Sequence, residues 1–384
     1  GRRCAYPARP QPAMSTRLDQ PTLRQRIAPL FSGFDRSLGL AALLLAGAGL
    51  LAMYSAGHDQ GTRFPDHLRN MALAAIILFG VAQVSPQRLM AMAVPLYSIG
   101  VALLIATALF GLTRKGATRW LNVGVVIQPS EILKIAMPLM LAWWFQRRGG
   151  QLRKPDFVVA AMLLLLPAAL IAKQPDLGTA ILVFSAGFYV IFFAGLSWKL
   201  ITPVLVLGVV AVTAVVLSEH YICEPDRVWP LIRDYQKHRI CTLLDPTTDP
   251  LGKGFHIIQG MIAIGSGGLT GKGFMQGTQT HLEFIPERTT DFIFAAYAEE
   301  FGLLGCLMLI LGFVFLIFRG LAIAADAPTV FTRLLAGAIT LSFFTYAMVN
   351  MGMVSGILPV VGVPLPFISY AGTAMVTPGL GPGM

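Results

Sequence analysis

Charge is scarce in this chain: Asp, Glu, Lys and Arg together make up only 12% of its 384 residues. A soluble globular domain carries about 25%. With 55% hydrophobic residues and a mean hydropathy of +0.68, a water-soluble fold is excluded. Cysteine is rarer still, at four residues. No Cys-x-x-Cys and no histidine cluster accompanies them, which argues against a thiolate metal site. The short alternating segments of a β-barrel are missing. So is a cleavable leader: the first apolar run, 38–57, has no Ala-x-Ala exit and reads as a signal anchor. No inverted repeat of the transporter type is visible.

What the chain has is apolar runs of about 20 residues, each long enough to span a bilayer. They fall near 38–56, 68–84, 89–111, 130–146, 157–172, 177–195, 200–217, 292–318 and 332–353, and a tenth begins near Pro364 or Pro366. This pattern predicts an all-α polytopic membrane protein of ten spans, with one long loop, 218–291, between spans seven and eight. The last span reads as truncated, because Val-Thr-Pro-Gly-Leu-Gly-Pro-Gly-Met384 cannot continue a helix. Residues 1–35 read as a cytoplasmic tail, with 1–13, ahead of Met14, unrelated to the rest. Residues 36–375 form the membrane domain, and 376–384 are an atypical end.

The formal charge of +10 invites a nucleic-acid reading. Much of it, however, lies in short loops, where the positive-inside rule explains it without nucleic acid. Arg17, Arg24, Arg26 and Arg36 precede span one. Arg147, Arg148, Arg153 and Lys154 follow span four, and Arg319 and Arg333 follow span eight. These alternate on one side, which places the cytoplasm there and loop 218–291 outside. Arg114, Lys115 and Arg119 then fall outside, against the rule. They either bind an anionic ligand or were outvoted by neighbouring loops. In an oxidising compartment Cys223 and Cys241 could pair; their spacing alone does not decide between a disulfide and two free thiols.

Several charged residues are candidates for chemistry. Asp291 closes the long loop in Phe284-Ile-Pro-Glu-Arg-Thr-Thr-Asp291 and is expected in the first turn of span eight, where the helix dipole favours a carboxylate. Its bland reading is a dipole-matching acid, but Thr289 or Thr290 is available to cap. Glu131 and Lys134 are three residues apart on one face of span four. Ionised groups at that depth pair structurally or line a cavity. Arg119 and Trp120 sit just outside the same span. Asp176, in Lys173-Gln-Pro-Asp, reads first as the N-cap of span six. Glu299 and Glu300 lie deeper in span eight, and at most one of them can face the same cavity as Asp291. Lys237, Arg239, Lys253 and Lys272 decorate the loop, either as phosphate-holding cations or as ordinary solvated charges. The apolar stretch Phe255 to Ile264 is too short to span and reads as a re-entrant or interfacial helix.

At these residues the chain resembles a known family. The segments are Gly116-Ala-Thr-Arg-Trp120, Gln128-Pro-Ser-Glu-Ile-Leu-Lys134, Lys173-Gln-Pro-Asp-Leu-Gly-Thr179, Asp249-Pro-Leu-Gly-Lys-Gly254 and Ile264-Gly-Ser-Gly-Gly-Leu-Thr-Gly-Lys-Gly273. They continue with Pro286-Glu-Arg-Thr-Thr-Asp-Phe-Ile-Phe294, Ala298-Glu-Glu300 and Pro364-Leu-Pro-Phe-Ile-Ser-Tyr370. In that order, from about Asp35 to Met375, they resemble the SEDS family (shape, elongation, division and sporulation), and its elongation members more than its division members. Ala371 departs from the glycine usual there.

The resemblance implies a ten-span fold in the bacterial cytoplasmic (inner) membrane. It implies peptidoglycan glycosyltransferase activity on lipid II during cell elongation and rod-shape maintenance, and a class B penicillin-binding protein as partner. By motif, Asp291 matches an essential outer-loop aspartate, Trp120 a sensitive tryptophan, and Glu131 with Lys134 a buried charged pair. The expected mechanism makes Asp291 the general base, with metal contact to a divalent cation, Mg2+ or Mn2+, and no organic cofactor. Trp120, Arg119, Lys237, Arg239, Lys253 and Lys272 are the expected substrate-binding residues. An apolar groove holds the lipid tails. A lipid II flippase centred on Glu131 and Lys134, or a non-catalytic scaffold, are the rival readings.

Overall fold

In a computed structural model the described residues are 34–114, 117–122, 126–149, 152–224, 234–249, 252–285 and 287–370. The expected oddities at 1–13 and 376–384, Lys115 and Ala371 lie outside them.

Each of the expected apolar segments as far as residue 353 falls on a helix. In chain order these are α1 (Arg36–Ala56), α2 (Arg63–Ala82) and α3 (Pro86–Phe110), then α4 (Pro129–Arg147), α5 (Lys154–Lys173), α6 (Leu177–Phe193) and α7 (Trp198–Leu217). The long loop contributes α8 (Glu219–Ile222), α9 (Asp234–Leu244), α10 (Lys253–Ser266) and α11 (Thr278–His281). Two long helices follow, α12 (Ile293–Asp326) and α13 (Val330–Val354). Among the described residues, six of these helices are long and apolar enough to cross a membrane: α1, α3, α5, α7, α12 and α13. The expected tenth span is a turn as far as Tyr370, beyond which the chain leaves the described residues.

Local chemistry sets the helix starts. Asp35 accepts the Leu38 amide at 2.8 Å and so caps α1. Thr329 and Thr332 cap α13 reciprocally. Prolines stand in the first turn of α3, α4 and α5, where their missing N–H costs nothing.

The all-α expectation holds, with one small element beside the helices. Between α3 and α4 lies a small antiparallel sheet in the order β1 (Leu112–Arg114), β2 (Ala117–Asn122), β3 (Val126–Ile127). Its strands are too short for the sheet to show as alternation in the sequence.

Two large apolar cores form, beside a small cluster of Leu182, Tyr346 and Val363. One gathers α1, α10, α12 and part of α13 around Phe292, Phe313 and Phe343. The other gathers α3, α4, α5, α6 and the start of α13 around Leu133, Phe145 and Phe331. Helix α13 belongs to both. Helix α7 belongs to neither: none of its hydropathic window is buried, and Val204, Leu207 and Val209 stand exposed. Such a surface suits lipid, where apolar side chains need no protein cover.

Helix α12 is broken, not continuous as the apolar run suggested. Gly302 has φ +63° and ψ −163°, a conformation that only glycine adopts readily. The break frees backbone groups, and the glycine-rich loop satisfies them. Lys272 and Gly273 donate their amides to the Glu299 and Glu300 carbonyls at 3.0 Å each. Leu303 and Leu304 donate theirs to Gly268 and Leu269 at 2.9 and 3.1 Å. Buried backbone groups rarely stay unpaired, so the loop and the break require each other.

Candidate active site

A cavity of about 800 Å3 opens at the seam of the two cores. Its wall brings together segments remote in sequence: the end of the small sheet, α4, the start of α6, α9, α10, the turn before α12, and the strap 360–364.

On one side stand Glu131 and Lys134. Their charged groups meet at 2.6 Å, and the Lys134 ammonium lies 5.9 Å from the centre of the Tyr346 ring. Asp176 lines the cavity as well. It accepts the Thr179 amide at 3.3 Å, which makes it the expected cap of α6. It also accepts the Gln128 amide nitrogen at 3.0 Å and lies 3.8 Å from Arg119 Nη1. Arg119 Nη2 donates to the Pro175 carbonyl at 2.6 Å. Arg119 Nε and Glu131 Oε2 are buried with no hydrogen-bond partner among the described residues. Buried polar atoms are normally satisfied, so this wall is built for water or a polar ligand.

Asp291 lines the same cavity. It is not in the first helical turn, as the sequence suggested, but in the turn just before it, because the helix starts at Ile293 with Phe292 as cap. Asn350 holds that turn in place by donating to the Asp291 carbonyl at 2.9 Å and to the Val363 carbonyl at 2.7 Å. Tyr370 donates its amide to Thr289 at 2.8 Å. Gly362, at φ +74°, lets the strap pass against the carboxylate; a Cβ built there would lie 3.3 Å from Asp291 Oδ2. Three residues upstream, Arg288 is buried. Its guanidinium donates to the carbonyls of Ala56 and Thr280 at 2.9 and 2.6 Å, and to the Asp59 carboxylate at 2.8 Å. The aspartate turn is therefore pinned to the end of α1 and to the outer loop.

Trp120 and Arg239 also line the cavity, so five of the residues singled out from sequence meet Asp291 there: Arg119, Trp120, Glu131, Lys134 and Arg239. Two others, Lys272 and Lys237, do not. Lys272 is held by Glu299 at 2.7 Å, away from the cavity wall. Lys237 donates to the Glu224 carbonyl at 2.7 Å. Lys253 opens α10, and its side chain lies outside the described residues.

Sequence reasoning missed His256 and Glu287 on the cavity wall. A lone histidine in an apolar stretch gives no signal of what it faces. It also missed the work of Glu299, which is fully buried. Its carboxylate accepts from Lys272, Thr278, the Gln279 amide and both Thr280 donors. Neither Glu299 nor Glu300 faces Asp291; Glu300 accepts from Ser55 of α1. Cys223 and Cys241 are disulfide-bonded.

Among the described residues, no group of three or more His, Cys, Asp or Glu is placed to hold a metal ion. Mg2+ commonly takes one or two carboxylates and completes its shell with substrate phosphates and water. Asp291 and Glu287 fit a cation of that kind, brought in with a phosphate, and do not make a closed protein cage.

The family described as cell cycle protein FtsW/RodA/SpoVE matches residues 36–384. The chain is 48% identical over 343 residues to the peptidoglycan glycosyltransferase MrdB of Escherichia coli K12, covering 89% of this chain and 90% of that one. Its fold matches a chain of a solved peptidoglycan synthase complex, which coordinates polymerization and crosslinking, with a TM-score of 0.72 and 30% identity, over 91% of this chain and 96% of the other. It also matches the crystal structure of the rod shape determining protein RodA of Thermus thermophilus, with a TM-score of 0.65 and 26% identity, over 91% and 94% of the two chains. With the family matched over residues 36–384 and a relative 48% identical over 89% of the chain, this chain belongs to the FtsW/RodA/SpoVE family, the SEDS proteins.

Proposed function

We propose that this multi-pass membrane protein works as a peptidoglycan glycosyltransferase of the elongation type, polymerising lipid II with Asp291 as its general base. One observation carries the proposal: Asp291, Arg119 and Arg239 line one and the same cavity. Glycosyl transfer to a growing strand needs a base for the acceptor hydroxyl and cationic groups for the leaving pyrophosphate.

In this scheme Asp291 takes the proton of the acceptor sugar hydroxyl. The freed oxygen attacks the anomeric carbon of the donor. The bond from that carbon to the pyrophosphate oxygen breaks, and undecaprenyl pyrophosphate leaves. Arg119 and Arg239 offer forked donors to phosphate oxygens. Glu131 and Lys134 keep the cavity floor polar and charge-neutral. Trp120 gives the sugar a flat apolar face. Mg2+ or Mn2+, when bound through Asp291 or Glu287, would neutralise pyrophosphate charge.

The Cys223–Cys241 disulfide supports an extracytoplasmic setting for loop 218–291, since such bonds persist in oxidising compartments. Residues 36–375 are then one membrane domain in the bacterial inner membrane. The likeness to a synthase complex supports a class B penicillin-binding protein as partner.

The test is glycan-strand formation from purified lipid II with the cognate partner, comparing the native chain with Asp291→Ala. Polymer from the native chain and none from a folded, partner-bound variant is the expected result. Equal polymer from both would remove the base role from Asp291.

A further inference from the structure

Helix α9 (Asp234–Leu244) carries Arg239 to the cavity wall. Cys241 follows two residues later, about 200° further around the helix at 100° per residue, so it faces away from Arg239. Lys237 precedes Cys241 by four residues, only about 40° off, and shares that far side. Both far-side residues are tied to the same two-residue stretch. Cys241 is disulfide-bonded to Cys223, and the Lys237 ammonium donates to the Glu224 carbonyl at 2.7 Å. That stretch directly follows α8. Next to Arg239, His238 Nε2 lies 3.3 Å from Asp249 Oδ2.

An eleven-residue helix is marginal by itself, and none of α9's described side chains belongs to either apolar core. Something other than apolar packing must fix its rotation. A covalent bond and a hydrogen bond on its back face do so, and the front face then presents Arg239 to the cavity. Guanidinium recognition of phosphate is directional, and a misplacement of about 1 Å is enough to weaken such contacts.

We infer that the Cys223–Cys241 disulfide, together with Lys237, is a positioning clamp for Arg239 and thereby sets affinity for the pyrophosphate end of the substrate. The inference rests on the reading of the cavity as the lipid II site. The disulfide touches no substrate; it acts through Arg239. Lys237, expected from sequence to bind substrate itself, works from behind the helix.

The experiment is a double-mutant cycle on the full chain with its partner, reading KM and kcat for lipid II polymerisation. The forms compared are the native chain, Arg239→Ala, Cys223→Ser with Cys241→Ser, and all three changes together. Arg239→Ala is expected to raise KM about ten- to hundredfold, the range of a lost charge-assisted hydrogen bond. The serine pair is expected to raise KM about three- to tenfold with kcat little changed, as loss of positioning predicts. In the Arg239→Ala background the serine pair is expected to add almost nothing, because the group it positions is gone.

An unchanged KM for the serine pair, or the same loss in both backgrounds, would overturn the inference and leave a structural cross-link only. If the serine pair does not fold, Lys237→Met takes its place in the cycle on the same terms. Asp291→Ala is run alongside. Should that variant polymerise normally, the lipid II reading of Asp291 fails, while the Arg239 coupling is still judged by direct binding of undecaprenyl pyrophosphate to the four forms.

Discussion

Asn350 of α13 donates its side-chain amide to the backbone carbonyl of Asp291 at 2.9 Å, so the residue proposed as base is held from beneath by a different helix. The same amide nitrogen donates to Val363 at 2.7 Å and fixes the strap that passes over the carboxylate. Asn350 is fully buried. Replacing it with Leu takes this donor from the Asp291 and Val363 carbonyls. The expected cost is about 1–3 kcal/mol of stability for the lost hydrogen bonds. Polymerisation should lose kcat more than KM, because the base shifts while the cationic wall remains. Thermal denaturation and steady-state kinetics check both parts.

Gly362 faces the same carboxylate. Its φ of +74° is strained for any residue with a Cβ, and that Cβ would stand 3.3 Å from Asp291 Oδ2. Gly362→Ala is expected to cost about 1–2 kcal/mol in backbone strain and to reduce polymerisation at least tenfold. A folded Gly362→Ala variant with native kcat would show that the carboxylate does not need this close approach.

Glu299 holds the outer loop and not the cavity. Its buried carboxylate gathers Lys272, Thr278, Gln279 and Thr280. Removing one partner of a buried charge pair typically costs about 3–5 kcal/mol; Lys272 is partly exposed, which places the expectation for Glu299→Ala toward the lower end. The loop over 267–285 should become protease-sensitive before the helices do. Limited proteolysis followed by mass mapping of the cut sites tests this.

Asp35 gives a pH dependence with a definite sign. Hydrogen bonding from Arg319, then from Ser37 and the Leu38 amide, holds its carboxyl well below the usual carboxylate range. A depressed folded pKa contributes stability above the unfolded value and loses it as pH falls toward the folded one. The melting temperature should therefore be flat with respect to this group at neutral pH and fall below about pH 4. Asp35→Asn should flatten that part of the fall. If both proteins show the same acid slope, the Asp35–Arg319 tie is not a source of it.

Much of this protein was legible without coordinates, because a bilayer imposes a simple rule on a chain. Backbone groups in lipid must be paired internally, so apolar runs of about 20 residues become helices. Asp291, Glu131, Lys134, Arg119 and Arg239 stood out for a related reason, since charge is costly near so much apolar chain. Lys272 and Lys237 stood out equally, yet they face Glu299 and Glu224. Nothing in composition separates a cation aimed at a cavity from one holding its own loop. The small sheet, too, was invisible, since strands as short as Val126–Ile127 leave no periodic trace.

The sequence by itself determined the class, the helix positions and the residue types available for chemistry, through hydropathy and the cost of buried charge. Only the tertiary structure decided which of those residues share a cavity. Asp291 and Glu131 are brought to one site from distant segments by α13, which packs into both apolar cores and reaches the aspartate turn through Asn350. Likewise, the break in α12 at Gly302 exists because the loop at 268–273 supplies partners for the backbone groups it frees. Such matches depend on long-range hydrogen bonds between remote segments, and those become visible only once the chain is folded.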